Sequence, residues 1–183
     1  MQQVAPREFL ESRRIQIREQ FAESGDGWET ARALTALADE TILLLIQRVL
    51  ARHSSAEVES AQNHLAIVSI GGYARSELAP FSDLDLLLLH SDKQPEIVGT
   101  LIGEIVREIW DTGLALGQNV GSPKQLATLA SKEVLPATSF LDARLLWGPP
   151  KLFESFVGRI ETLFAKPSKG MELFSKVVAA VAA

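Results

Sequence analysis

The chain has 183 residues, no cysteine and a formal net charge of −5. That length suits one average domain with a core of its own, and the missing cysteines exclude disulfide and thiolate-metal frameworks, in keeping with a reducing compartment. A composition 46% hydrophobic and 22% charged sets it apart from disordered and fibrous chains, and the acidic balance provides no overall basic field for nucleic acid.

The predicted elements begin with an amphipathic helix from about Ala5 to Gly25, on the spacing of Phe9, Ile15, Ile17 and Phe21, closed by "SGDG". A second helix is expected from Trp28 or Glu29 through Ala51, because Ala31, Leu34, Leu37, Ala38, Ile42, Leu45, Ile46 and Val49 recur at three and four residues. "HLAIVSIGG" changes character: Ile67, Val68 and Ile70 form a short β-branched strand that stops at a glycine pair. "SDLDLLLLH" reads as a second strand, with Pro80 preventing one continuous strand from Tyr73 to Ser82. A helix from about Glu96 to Thr112 and a strand in "GLALGQNVGS" follow. Ser122 as N-cap and Pro123 at the first helical position then open a helix. "PATSFLDARLLWGPPKLFESFVGRIETLFA" reads as one helix broken at "GPP" and resumed, and a small-residue helix ends the chain in the manner of a frame that continues. The segments 1–60, 61–122 and 123–183 are expected to be an amino-terminal helical region, a central core and a carboxy-terminal helical region. No apolar run reaches roughly 18 residues and no export signal is visible. A cytoplasmic location, with no membrane and no nucleic acid among the partners, is therefore expected.

The chemistry concentrates between Gly71 and His90. Side chains two apart on a strand share a face, so Asp83 and Asp85 project together roughly 7 Å apart while Leu84 and Leu86 point the other way. Two carboxylates there make a hard oxygen site suited to Mg2+, which one or two carboxylates commonly hold while waters and phosphates fill the octahedron. Gly71 and Gly72 end the preceding strand, where missing side chains let backbone N–H groups approach an anion. Taken alone, the glycine pair is a turn and the acid pair a capped strand edge. Together they form the layout of phosphoryl or nucleotidyl transfer, and a cation would offset the cost of acids placed beside four leucines.

"GGYARSELAPFSDLDLLLL" resembles the DNA polymerase beta-like nucleotidyltransferases. More closely, it is similar to the amino-terminal catalytic domain of the bifunctional uridylyltransferase/uridylyl-removing enzymes that modify the PII nitrogen-signalling protein. Gly71, Gly72, Tyr73, Arg75, Glu77, Leu78, Pro80, Ser82, Asp83 and Asp85 fall on that family's motif, and "IWDTGLALGQNVGS" and "PATSFLDARLLWGPPKLFESF" continue the likeness. The resemblance implies an α/β (α+β) fold with a small, mostly antiparallel sheet flanked by helices at both ends. It further implies UTP or another nucleoside triphosphate held by Gly71, Gly72 and Ser82, Mg2+ on Asp83 and Asp85, and transfer of UMP to a tyrosine of a PII-type acceptor. Arg75 is left with two readings, a phosphate or loop-ordering contact, or an ion pair to Glu77 or another acid. Tyr73 and Glu77 are expected to be structural.

The chain departs from the family at Ala74 and Ser76, which replace glycines, and at Gln118, Asn119 and Gly121, which replace His, Ser and Arg. No third carboxylate appears in "LALGQNV", and Asp111 is read as a helix-end residue. Asp142 and Arg144 are placed in a helix, where they either pair with each other or face the active cleft, a structural role being the favoured reading. His53, His64 and His90 form no His-Asp pair, so no uridylyl-removing activity is expected. Two alternatives stand beside the active transferase: a degenerate domain that binds nucleotide or a partner without turnover, and a helical module pairing through "FSKVVAAVAA".

Overall fold

The computed structural model describes residues 5–181; the small-residue tail's last two alanines, Ala182 and Ala183, lie outside them. Helix α1 (Pro6–Ser24) carries Pro6 at its start, where a missing N–H costs nothing, and stops at Gly25 in the left-handed conformation. The Asp26 carboxylate accepts from the Trp28 and Glu29 N–H groups and so opens α2 (Gly27–Leu50). A capping box of Ser54 and Glu57 starts α3 (Ser55–His64), for which no boundaries were expected from the sequence.

The sheet elements alternate with the remaining helices. Strand β1 (Leu65–Ile70) runs into a single helical turn, α4 (Gly71–Ala74), and a loop leads to β2 (Leu84–His90). Then come α5 (Glu96–Asp111), β3 (Leu116–Gly121), α6 (Pro123–Lys132) and α7 (Val134–Ser139), followed by β4 (Ala143–Trp147), α8 (Pro150–Phe164) and α9 (Pro167–Val181). Ser122 and Gln125 cap α6 reciprocally, as the sequence predicts for Ser122. Strand order is β3-β2-β1-β4. β1 lies antiparallel to both β2 and β4, and β2 pairs with β3 in parallel, giving the expected mixed and mostly antiparallel sheet.

β4 corrects the sequence reading. Ala143–Trp147 is an edge strand, so Asp142 precedes a strand and Arg144 lies within one, and neither is helical. "ARLLW" has the composition of a helix, but the free edge of β1 offers a ladder for its backbone, and this tertiary pairing overrides local propensity. Gly148 leaves that strand at φ +109°, and a Cβ there would press on the Leu65 carbonyl and Ala66, so only glycine lets the chain turn so close to β1.

One sheet divides the interior into two clusters. Leu84, Leu86 and Leu88 pack with Ile67 against α2 and α5, whereas Leu87 and Leu89 pack with Val68 and Ile70 against α6 and α8. The run of four leucines thus feeds both faces of a strand buried on both sides. Each buried leucine contributes about 1.5–3 kcal/mol relative to exposure. That is enough to hold β2 in register while it carries an acid at its start.

Candidate active site

β1 delivers the chain into Gly71 at φ +58°, a conformation that favours glycine. The Gly71 N–H donates to the Asp142 carbonyl at 3.0 Å, and the Glu77 N–H closes the turn onto the Gly72 carbonyl at 2.9 Å. The Gly72 N–H has no acceptor among the described residues. Of the expected glycine pair, Gly71 therefore sets the turn and Gly72 keeps a free donor. The open side of Gly71 faces Ser139, whose Oγ would lie 3.9 Å from a Cβ built there; sequence reasoning did not single this serine out.

Thirteen residues of connection separate β1 from β2, and the acids stand where β2 begins. Asp83 is exposed just before the strand and Asp85 is half-buried within it. Among the described residues neither carboxylate makes a hydrogen bond or an ion pair. Burial first, and then the charge of Asp83, push the Asp85 carboxyl above its ordinary value. Two acids lie close enough to repel here with no cation among the described residues paired to either.

Room for Asp85 comes from β3. The parallel register sets Asp85 opposite Gly117, and a methyl group at Gly117 would overlap Asp85 Oδ1. Any larger residue would displace the carboxylate. This role was missed in the sequence because it depends on the register of two strands that the whole of α5 separates. The signal was a glycine inside a predicted strand, which marks close approach.

Arg75 makes two ion pairs: Nε bonds Glu77 Oε2 at 2.7 Å and Nη1 bonds Asp142 Oδ2 at 2.6 Å. The Ser82 Oγ accepts from the Ala79 N–H at 3.2 Å, and the Ser82 N–H donates to the Ala79 carbonyl at 3.1 Å, closing the loop before the acids. Ser76 sits at φ +62°. The backbone thus keeps a glycine conformation at a position where the resembling motif has glycine.

The donor set fits Mg2+ rather than a softer ion, being two carboxylates with no nitrogen or sulfur ligand, and leaves most of an octahedron to water and phosphate oxygens. No group of three or more His, Cys, Asp or Glu side chains converges on a metal position among the described residues.

Over 152 residues, 83% of the chain, the sequence is 32% identical to the bifunctional uridylyltransferase/uridylyl-removing enzyme of Azospirillum brasilense. Against that of Caulobacter vibrioides it is 31% identical over 146 residues, 80% of the chain. The chain is homologous to part of this enzyme family. It spans 16% of the length of both relatives. A shorter stretch of 95 residues, 52% of the chain and 11% of the relative, is 41% identical to the Burkholderia vietnamiensis enzyme. No family model matches. Two solved structures overlay loosely. A toxin-antitoxin with AMP-PNP aligns at TM-score 0.41 and 16% identity, over 76% of this chain and 97% of that one. A tri-AMPylated Shewanella oneidensis HEPN toxin in complex with MNT antitoxin aligns at 0.39 and 14%, over 78% and 99%.

The "LDARLL" stretch shared in pattern with the uridylyltransferases has a separate task on the other face of the sheet. Arg144 reaches from β4 to Asp39 of α2 with two bonds of 2.8 and 3.0 Å. Its guanidinium also lies 5.6 Å from the centre of the Tyr73 ring. Tyr73 is buried, its hydroxyl has no partner of good geometry, and burial followed by the Asp39 charge pushes that hydroxyl up. The ion pair clamps the glycine turn from behind, so Asp142 and Arg144 hold two different acid-base partners and do not pair with each other.

Proposed function

We propose that this chain is a nucleotidyltransferase that moves UMP from UTP onto a tyrosine hydroxyl of a PII-type signalling protein. The phenolic oxygen bonds to the α-phosphorus, the bond from that phosphorus to the α–β bridging oxygen breaks, and pyrophosphate leaves while the phenolic proton passes to solvent. Asp83 and Asp85 would hold Mg2+, which when bound supplies positive charge to the triphosphate and the leaving group. The missing side chain at Gly117 leaves the room that the Asp85 carboxylate occupies. The free N–H of Gly72 is offered to a phosphate oxygen, and Ser82 holds the loop from which its own hydroxyl can turn to the phosphates. Arg75, tied to Glu77 and Asp142, orders the turn.

The observation that carries this reading is the acid pair without a cation partner among the described residues, at the start of a strand whose paired neighbour ends in a glycine turn with an unspent donor. Kinship with the uridylyltransferases supports nucleotidyl transfer in general; UTP and the PII-type acceptor come from the finer resemblance. The test is pyrophosphate release from UTP and Mg2+ in the presence of a purified PII-type protein. Release that disappears in Asp83→Ala and Asp85→Ala supports the proposal, and binding of UTP without release would reject it. The latter result would favour a domain that binds nucleotide or a partner without turnover, a reading motivated by the lack of a third carboxylate among the described residues.

A further inference from the structure

α1 does not bury all of the face its sequence offers. Ile15 and Phe21, two of the apolar positions whose spacing predicts the amphipathic helix, remain 49% and 44% exposed. With Arg14, Arg18, Pro80 and Phe81 they line an open groove of about 320 Å³ between α1, α2 and the loop that precedes the acids. Phe81 is the sharper anomaly. Its backbone stands at φ +69°, which bulky residues adopt only at a cost, and its ring is 93% exposed. Folding recovers little of that cost by burying the ring, and strain of this kind concentrates where a surface is used.

The arginines are a second and independent observation. Arg14 and Arg18 lie one turn apart on α1, a spacing at which like charges repel, and among the described residues neither makes an ion pair. On a chain of net charge −5, two unpaired cations beside aromatic rings make a local positive and apolar surface. Phe81 also stands two residues before Asp83, so the loop that lines the groove runs directly into the acid pair.

We propose that this groove docks the acceptor protein through a segment that sets acidic side chains against Arg14 and Arg18 and an apolar side chain against Ile15, Phe21 and Phe81. This rests on the transfer reading above and names the surface by which the acceptor is held. Charge selects the occupant: a symmetric pair of copies would bring the arginines of one toward those of the other, whereas an acidic partner complements them.

Calorimetric binding of the full chain to a purified PII-type protein, without nucleotide and at two salt concentrations, tests the proposal. Wild type is compared with Phe81→Asn, which tolerates the positive φ while removing the ring, and with the double variant Arg14→Glu/Arg18→Glu. Melting temperatures check that both variants fold. Wild type should bind more weakly as salt rises, each variant should bind at least about tenfold more weakly, and Mg2+-dependent UTP binding should be unchanged in both. Wild type that does not bind, variants that bind equally, or a parallel loss of UTP binding would each overturn the proposal. So would a dimer of the chain that the arginine changes dissociate. Pyrophosphate release is scored separately. A chain that docks the PII-type protein through this groove yet releases none would sink the transfer reading and leave the docking surface standing.

Discussion

The two faces of the sheet handle charge in opposite ways. On one, Asp39 and Arg144 meet in a two-bond ion pair behind the glycine turn. On the other, Asp83 and Asp85 stand with no cation among the described residues, and the second is pushed toward its protonated form. A paired charge braces the fold, while an unpaired acid pair costs stability and is retained where something else supplies the positive charge. On the proposed reading, the difference separates what holds the site from what does its chemistry.

Breaking the paired side should give the largest effect on stability. Arg144→Ala leaves Asp39 part-buried without its partner and removes the contact to Tyr73; a loss of about 2–3 kcal/mol is expected, below that of a fully buried pair because both groups keep some solvent. Chemical denaturation reads it directly, and a loss under half that size would show the clamp to be incidental. Gly117→Ala attacks the unpaired side without touching an acid. The methyl should displace Asp85 and weaken Mg2+-dependent UTP binding about tenfold, roughly 1.4 kcal/mol, with little change in fold stability; unchanged binding would mean that Asp85 does not act from its observed position.

Ser76→Gly probes the turn between the two sites. Relief of a left-handed serine, partly offset by the freedom glycine adds to the unfolded chain, should raise stability by roughly 0.5 kcal/mol. A decrease on denaturant titration would instead give the serine side chain a role of its own.

Asp85→Asn should have the smallest effect, and its sign is diagnostic. Because the folded state holds the Asp85 proton more tightly than the unfolded state does, the wild type loses stability as pH rises through the folded value. The variant escapes that loss. Its melting temperature should match wild type in acid and exceed it by roughly 1–2 °C at neutral pH. A variant less stable at neutral pH would mean that the carboxylate has a favourable partner.

What was legible in the sequence was what is local. The breaking glycines, the Ser122 cap and the stripe of α2 all lie within a few residues of the features they determine, whereas Asp83 falls one residue before β2, outside the strand expected to carry both acids. β4 was not legible, since "ARLLW" becomes a strand only because β1 presents an unpaired edge. Nor was the Asp39–Arg144 clamp, whose members lie 105 residues apart, nor the Gly117 space, which needs the parallel register of β2 and β3. The exposure of Ile15 and Phe21 was not legible for a related reason: helical period marks an apolar face but not whether another element arrives to cover it.

The central claim is that the acid pair waits for a metal-bound nucleotide. Titrating UTP into the chain with and without Mg2+, for wild type and Asp85→Ala, tests it most directly. The account predicts binding by the wild type that requires Mg2+ and falls at least about tenfold in the variant. Binding that is indifferent to Mg2+, or equally strong in the variant, would contradict it.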